Sequence, residues 1–248
     1  MRLLSVAALC LGLATPVSAL DLNAMTDADR AAFGAAVRSY LLENPGVLME
    51  AIGILEQQRE ADGAARDLAV LRDNAAQIFD SPDDWAGANL SGDITVVEFV
   101  DYRCGYCRKA HDEVAKLVAA DGNIRLVLKE FPILGEDSLT SSRFAIAVRR
   151  LAGDDAYKRA HDALIALKGP VNAAALASLA AELGLDMAKI AVEMESPAVG
   201  DIIRANHELA SELEINGTPT FVIKETMVRG YVPLEGMRQI VEGQRKKN

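Results

Sequence analysis

Cys104-Gly105-Tyr106-Cys107 places two thiols three residues apart, directly after an apolar strand-like run and at the head of a helical pattern. A C-x-x-C at that junction is a redox motif. The unpaired N–H groups and dipole of a helix N-terminus favour a thiolate at Cys104, the attacking species in disulfide exchange. Arg103, Arg108 and Lys109 add positive charge nearby. Cys107, one turn inside, is then the protected, resolving thiol. A purely structural disulfide closing so short a loop would constrain little. A metal alternative exists: Cys104, Cys107 and His111 stand at i, i+3 and i+7, a soft set suited to copper(I), whereas zinc would want a fourth ligand. Glu98, six residues before Cys104 and flanked by apolar residues, is either a carboxylate reaching solvent at a sheet edge or a buried acid of raised pKa. In the second case it exchanges a proton with Cys107 when a mixed disulfide resolves. Gly217-Thr218-Pro219-Thr220 precedes another strand; its Thr218–Pro219 bond is either an ordinary trans turn or a cis bond exposing the Thr218 backbone to an extended peptide. His161 and His207 show no partner pattern and receive no role.

The positioning elements follow from periodicity. Ile94–Val100 (ITVVEFV) is apolar on both faces, as in a buried strand, and a helix from Cys104 to about Ala120 leads to a second strand at Ile124–Phe131. From Ser138 to Leu213 only helical segments occur, punctuated by Gly153, Gly169-Pro170, Gly184 and Ser196-Pro197. Thr220–Ile223 and Met227–Tyr231 form a hairpin-like pair, and Pro233 starts a last helix. The order βαβ, helical block, ββα is that of an α/β thioredoxin-like domain with a large helical insertion. Upstream, Thr26-Asp27 caps a helix with Phe33, Val37, Tyr40 and Leu41 on one face, and Pro45 opens a second carrying Val47, Leu48, Ala51, Ile52 and Leu55. The segment 56–63 (EQQREADG) loses that stripe and reads as a solvated helix or linker; helical character returns through Leu68, Leu71, Ala75 and Ile78. The expected divisions are a leader at 1–19, a helical arm at 20–80 with its linker near 56–63, and the thioredoxin-like domain at 81–243 with its insertion near 136–214.

Met1-Arg2, the apolar run Leu3–Leu13 and Val17-Ser18-Ala19 have the three parts of a secretory signal peptide cleaved after Ala19. The run is too short to span a bilayer. Cys10 leaves with the leader, so Cys104 and Cys107 are the two cysteines of the exported chain, in an oxidising, periplasmic setting. With 26 basic against 36 acidic residues and a net charge of −10, neither nucleic-acid binding nor attachment to an anionic membrane surface is expected, and with no transmembrane segment left after cleavage no membrane insertion is expected either.

EFVDYRCGYC at 98–107, the helical block and NGTPTFVI at 216–223 together resemble the DsbA-like branch of periplasmic thiol–disulfide oxidoreductases over about residues 85–243. LLENPGVLMEA at 41–51 resembles the N-terminal extension of the ScsC (suppressor of copper sensitivity protein C) group, some of whose members oligomerise through that arm and act as isomerases. The resemblance implies a nucleophile at Cys104, a resolving thiol at Cys107, a buried acid at Glu98 and a cis-proline at Pro219. Gly105, Tyr106 and Thr218 become the substrate contacts. Gly-Tyr between the cysteines resembles DsbC-type isomerases rather than the Pro-His of DsbA, which argues for a less stabilised thiolate and a less oxidising disulfide. The expected protein is therefore a periplasmic disulfide isomerase or reductase acting on exported clients. It needs no cofactor, draws electrons from a membrane thiol reductase and forms a homo-oligomer through its arm. A DsbA-like oxidase and a copper(I)-binding protein are the alternatives.

Overall fold

A computed structural model describes residues 25–247, so the leader and its cleavage site lie outside the described residues. The chain divides into two units, residues 1–59 and 60–248. The first contains helix α1 (Asp27–Glu43) and the opening turns of α2 (Gly46–Asp73). A capping box starts α1: the Thr26 hydroxyl accepts from the Asp29 N–H, and the Asp29 carboxylate accepts from the Thr26 N–H. The chain turns at Asn44-Pro45, where proline cannot continue the ladder. Both expected stripes are present, yet in this single chain they face solvent. Phe33, Tyr40, Leu48 and Ile52 are 45, 58, 44 and 47% exposed.

Of the two readings of segment 56–63, solvated helix or linker, the helical one holds: the segment is uninterrupted helix inside α2. Its residues are strong helix formers apart from Asp62 and Gly63, and propensity carries the helix through without a buried stripe. The expected arm boundary near 80 also moves. Leu71 and Ile78, from the end of α2 and from α3 (Ala75–Phe79), are buried with Val97, Phe99 and Val127 in the core of the second unit. Asp67 receives a bidentate Arg229 at 2.8 Å, and Arg72 bonds Glu225 at 2.8 Å. Residues 60–80 thus pack with the sheet they precede.

That sheet has the order β1-β3-β2-β4-β5, with β1 Trp85–Ala88, β2 Ile94–Val100, β3 Ile124–Glu130, β4 Thr220–Ile223 and β5 Thr226–Arg229. Strands β2 and β3 are parallel and the remaining pairs antiparallel. Strand β1 was not expected: Trp-Ala-Gly-Ala has little β propensity. It is held by pairing with β3, by the Trp85 indole N–H on the Asp154 carbonyl at 3.1 Å, and by Trp85 stacking on Tyr157. Alternation along β2 decides the site. Val97 and Phe99 face the core completed by α3, while Ile94, Val96 and Val100 face the core beneath α4 (Gly105–Asp121), which contains Cys104 and Cys107. Glu98, in phase with Val96 and Val100, falls on the cysteine side.

The block α5 (Glu136–Ala152), α6 (Asp154–Ala166), α7 (Ala173–Leu183), α8 (Met187–Met194) and α9 (Pro197–Glu212) separates β3 from β4. Gly153 and Gly184 punctuate it at φ 84° and 72°, where a side chain would be strained. Helix α10 (Leu234–Arg245) closes the fold, its Arg245 bonded to both Asp93 and Asp121. Among the described residues no helix is long and apolar enough to cross a membrane.

Candidate active site

Cys104 caps α4 at φ −71°, ψ 119°, with its thiol at the helix mouth and Cys107 one turn inside. Both are present as free thiols. Cys104 is 7% exposed and Cys107 1%, so an incoming disulfide reaches only the first. The turn is braced from behind by Asp101, fully buried. Its carboxylate accepts from the N–H groups of Arg103, Ile133 and Leu134 and from the Ser138 hydroxyl, while its carbonyl accepts from the Cys104 N–H. Sequence reasoning passed over Asp101, because Ile133, Leu134 and Ser138, three of its carboxylate's four partners, lie 32, 33 and 37 residues away.

The Cys104 Sγ lies 3.1 Å from the Thr218 carbonyl oxygen, and the Thr218–Pro219 bond is cis. Thr218, the substrate position expected on this loop, therefore adjoins the thiol. The hydrogen bond with Cys107 holds the Cys104 thiol down at about 5; burial opposes it, and bonds from Thr218 and from the Cys107 and Tyr106 backbones assist. The same Cys104–Cys107 bond, with burial and the charge of Glu98, pushes Cys107 far up. The pair is thus split into a thiolate and a thiol.

The flanking cations are not among the largest causes. Arg108 donates to the Tyr102 and Leu167 carbonyls at 3.0 Å, Lys109 sits 4.2 Å over the Tyr231 ring, and Arg103 lies 3.7 Å from Asp137. Side-chain and backbone hydrogen bonds are the main causes of the lowering. Tyr106 is 62% exposed and stacks on Tyr231, whose hydroxyl donates to Glu113 at 2.7 Å. An apolar, aromatic rim thus borders Cys104, and Tyr231 is a rim residue the motif did not reveal. A Cβ at Gly105 would meet nothing within 4 Å, so glycine leaves the thiol approachable rather than relieving a clash.

Glu98 is buried, not at a sheet edge: β2 is interior, between β3 and β4. Burial, then the charge of Cys104, pushes its carboxyl up to about 8. It lines a cavity of about 300 Å³ together with His111, Lys158 and His161. His111 does not join the thiols. Among the described residues the metal-capable set it enters is His111, His161 and Asp162, which corrects the Cys104–Cys107–His111 grouping. His161 also has a place the sequence did not show. It is buried, its Nδ1 lies 3.1 Å from the Tyr102 hydroxyl, and Tyr102, Tyr157 and Ser142 donate to the buried Glu130 at 2.7 Å each. Burial lowers the His161 imidazole to about 3 and raises Glu130 to about 7. His207 packs on the Phe131 ring at 4.8 Å.

The DSBA-like thioredoxin domain profile matches residues 95–242, and the Copper resistance protein ScsC N-terminal domain profile matches residues 29–62. A thioredoxin-like oxidoreductase of Silicibacter pomeroyi is 40% identical, with TM-score 0.65, covering 69% of this chain and 97% of that one. The Proteus mirabilis ScsC structure in a transitional conformation is 24% identical, with TM-score 0.66, over 92% of this chain and 100% of that one; this likeness is one of fold. The Na(+)/H(+) antiporter NhaA 1 of Salinispora arenicola is 29% identical over 149 residues, 60% of this chain and 22% of that protein. The chain spans about a fifth of the length of the curated relatives it matches. With a C-x-x-C helix mouth set against a cis Thr218–Pro219 loop on a five-stranded mixed sheet, and a profile match covering more than half its length, the chain belongs to the DSBA-like thioredoxin domain family.

Proposed function

We propose that this chain is an exported, periplasmic thiol–disulfide isomerase or reductase in which Cys104 attacks and Cys107 resolves. The observation that carries the reading is the split pair: a reachable Cys104 held ionised beside the Thr218 carbonyl, and a buried Cys107 held protonated. The Cys104 thiolate attacks one sulfur of a client disulfide; a Cys104–client bond forms and the other client sulfur leaves as a thiolate. A client thiolate then displaces Cys104 and completes isomerisation, returning the enzyme reduced. Alternatively Cys107 loses its proton to Glu98, attacks Cys104 Sγ and releases a reduced client, leaving a Cys104–Cys107 disulfide. A membrane thiol reductase restores the dithiol. Glu98 must be ionised to take that proton; a carboxyl poised near 8 both holds and releases one near neutrality.

The extended backbone of the client lies along Thr218, with Tyr106 and Gly105 forming the rim. The uncovered apolar faces of α1 and α2 supply a self-association surface, so that several sites confront one client. Deleting residues 20–60 is expected to convert an oligomer into a monomer by light scattering; a monomeric intact chain would defeat this part of the reading.

One observation favours the DsbA-like oxidase. Lowering the Cys104 thiol to about 5 stabilises the reduced enzyme, and that stabilisation makes a disulfide oxidising. Scrambled ribonuclease separates the two. The reduced chain is expected to restore ribonuclease activity from scrambled protein, and failure to do so, with rapid oxidation of reduced ribonuclease by the disulfide form, would reverse the assignment.

A further inference from the structure

His111 on α4 and His161 and Asp162 on α6 meet where the helix carrying both cysteines crosses the inserted block. The three ligand atoms lie within 4.8 Å of one another. The His111 Nε2–Asp162 Oδ1 separation is 3.2 Å, close to the ligand–ligand edge of about 3.3 Å expected of a tetrahedral site with metal bonds near 2.0–2.1 Å. Successive residues on a helix point about 100° apart. His161 therefore enters from beneath, fully buried, while Asp162 comes from the rim, with its side chain 44% exposed. The His111 side chain, 22% exposed, completes the third side, its ring 5.3 Å from that of His161.

What distinguishes this cluster from a chance group is the support behind His161. The Tyr102 hydroxyl donates to Glu130, so at the Tyr102–His161 contact the imidazole Nδ1–H is the donor and Nε2 keeps its lone pair. A ligand imidazole whose other nitrogen is fixed through a hydroxyl to a buried carboxylate has the outer partner that metal-bound histidines have. His111 and His161 also line the roughly 300 Å³ cavity, leaving space for a fourth ligand. Against occupation stands Lys158, which donates to both Asp162 oxygens at 2.6 and 2.7 Å.

We propose that His111, His161 and Asp162 bind one divalent first-row transition ion, clamping α4 to α6 independently of the thiols. Two imidazoles and a carboxylate are borderline-to-hard donors, which suits zinc(II) or its neighbours and not copper(I). On binding, His111 Nε2 turns from its contact with Asp162 and gives its lone pair to the ion, the Asp162 carboxylate exchanges the Lys158 ammonium for the ion, and the fourth position takes water.

The test is a Zn²⁺ titration against a chromophoric chelator, using the chain from residue 20 with Cys104→Ser and Cys107→Ser, so that neither thiol contributes. One Zn²⁺ per chain is expected. His111→Ala and Asp162→Asn, both at partly exposed positions, should each weaken binding at least tenfold. Lys158→Met should tighten it severalfold, a gain that a loss of folding cannot produce. No binding by the thiol-free chain, unchanged affinity in both ligand variants, or a Lys158→Met variant no tighter than its parent would each overturn the site. Because the thiols are absent, none of these outcomes bears on disulfide exchange.

Discussion

Replacing Glu98 by Gln removes an ionisable carboxyl from the cysteine side of β2 while keeping the side chain's size, and its effect can be worked out as a function of pH. Burial, with a smaller contribution from Cys104, raises the carboxyl from its ordinary 4.5 to about 8. Between those values the folded chain holds a proton that the unfolded chain has released, so stability falls as pH rises. Glu98 costs nothing of this kind below pH 4.5. At 1.36 kcal/mol per pKa unit, the cost reaches about 3 kcal/mol at pH 7 and about 5 kcal/mol above pH 8. The Gln amide must still find partners, and an unmet donor costs about 1–3 kcal/mol, but that offset does not vary with pH. The observable is therefore the difference in urea-unfolding free energy between Glu98→Gln and the reduced parent, measured from pH 4 to 9. Cys104 and Cys107 titrate in both proteins and largely cancel in the difference. The expected curve is flat below about pH 4.5, rises in favour of the variant through neutrality and levels near pH 8. The same variant should resolve a Cys104 mixed disulfide more slowly, since Cys107 has lost its proton acceptor. A pH-independent difference would refute the burial argument, and unchanged resolution would remove Glu98 from the chemistry.

Two further outcomes follow from the site. Iodoacetamide should alkylate Cys104 with a midpoint near pH 5, and Cys107→Ala should raise that midpoint, because the Cys107 hydrogen bond is the largest cause of the lowering; an unmoved midpoint would transfer the effect to the Thr218 and backbone bonds. Asp101→Ala removes an acceptor shared by three backbone N–H groups and the Ser138 hydroxyl and should cost about 3 kcal/mol in urea unfolding. A loss below about 1 kcal/mol would mean that the turn before Cys104 holds without its brace.

The motif residues were legible because the chemistry is local. Two thiols at a strand–helix junction, an acid in an apolar strand and Thr218-Pro219 before a strand each carry their meaning within ten residues. Glu98 was open between edge and interior, and the β2 position between β3 and β4 decided it. Hidden features depend on distant pairings. Tyr102, Glu130 and His161 come from three segments, separated by 28 and 59 residues from Tyr102, and none has a periodic signature. Strand β1 exists through its partner rather than its propensity. Sequence proximity does not say where a long side chain ends: Arg108 reaches the Tyr102 and Leu167 carbonyls and Lys109 the Tyr231 ring. Segment 56–63 lacks an apolar stripe and is nonetheless helix, since a stripe reports burial and not helicity.

The central claim is that Cys104 attacks and Cys107 resolves. The direct measurement is mass spectrometry of the adducts formed with a disulfide-bonded peptide. Cys107→Ser should accumulate one mixed disulfide, mapped to Cys104, while Cys104→Ser accumulates none and the parent passes through the adduct to a Cys104–Cys107 disulfide. Equal adducts on both single variants, or an adduct mapped to Cys107 in the parent, would contradict the assignment of roles.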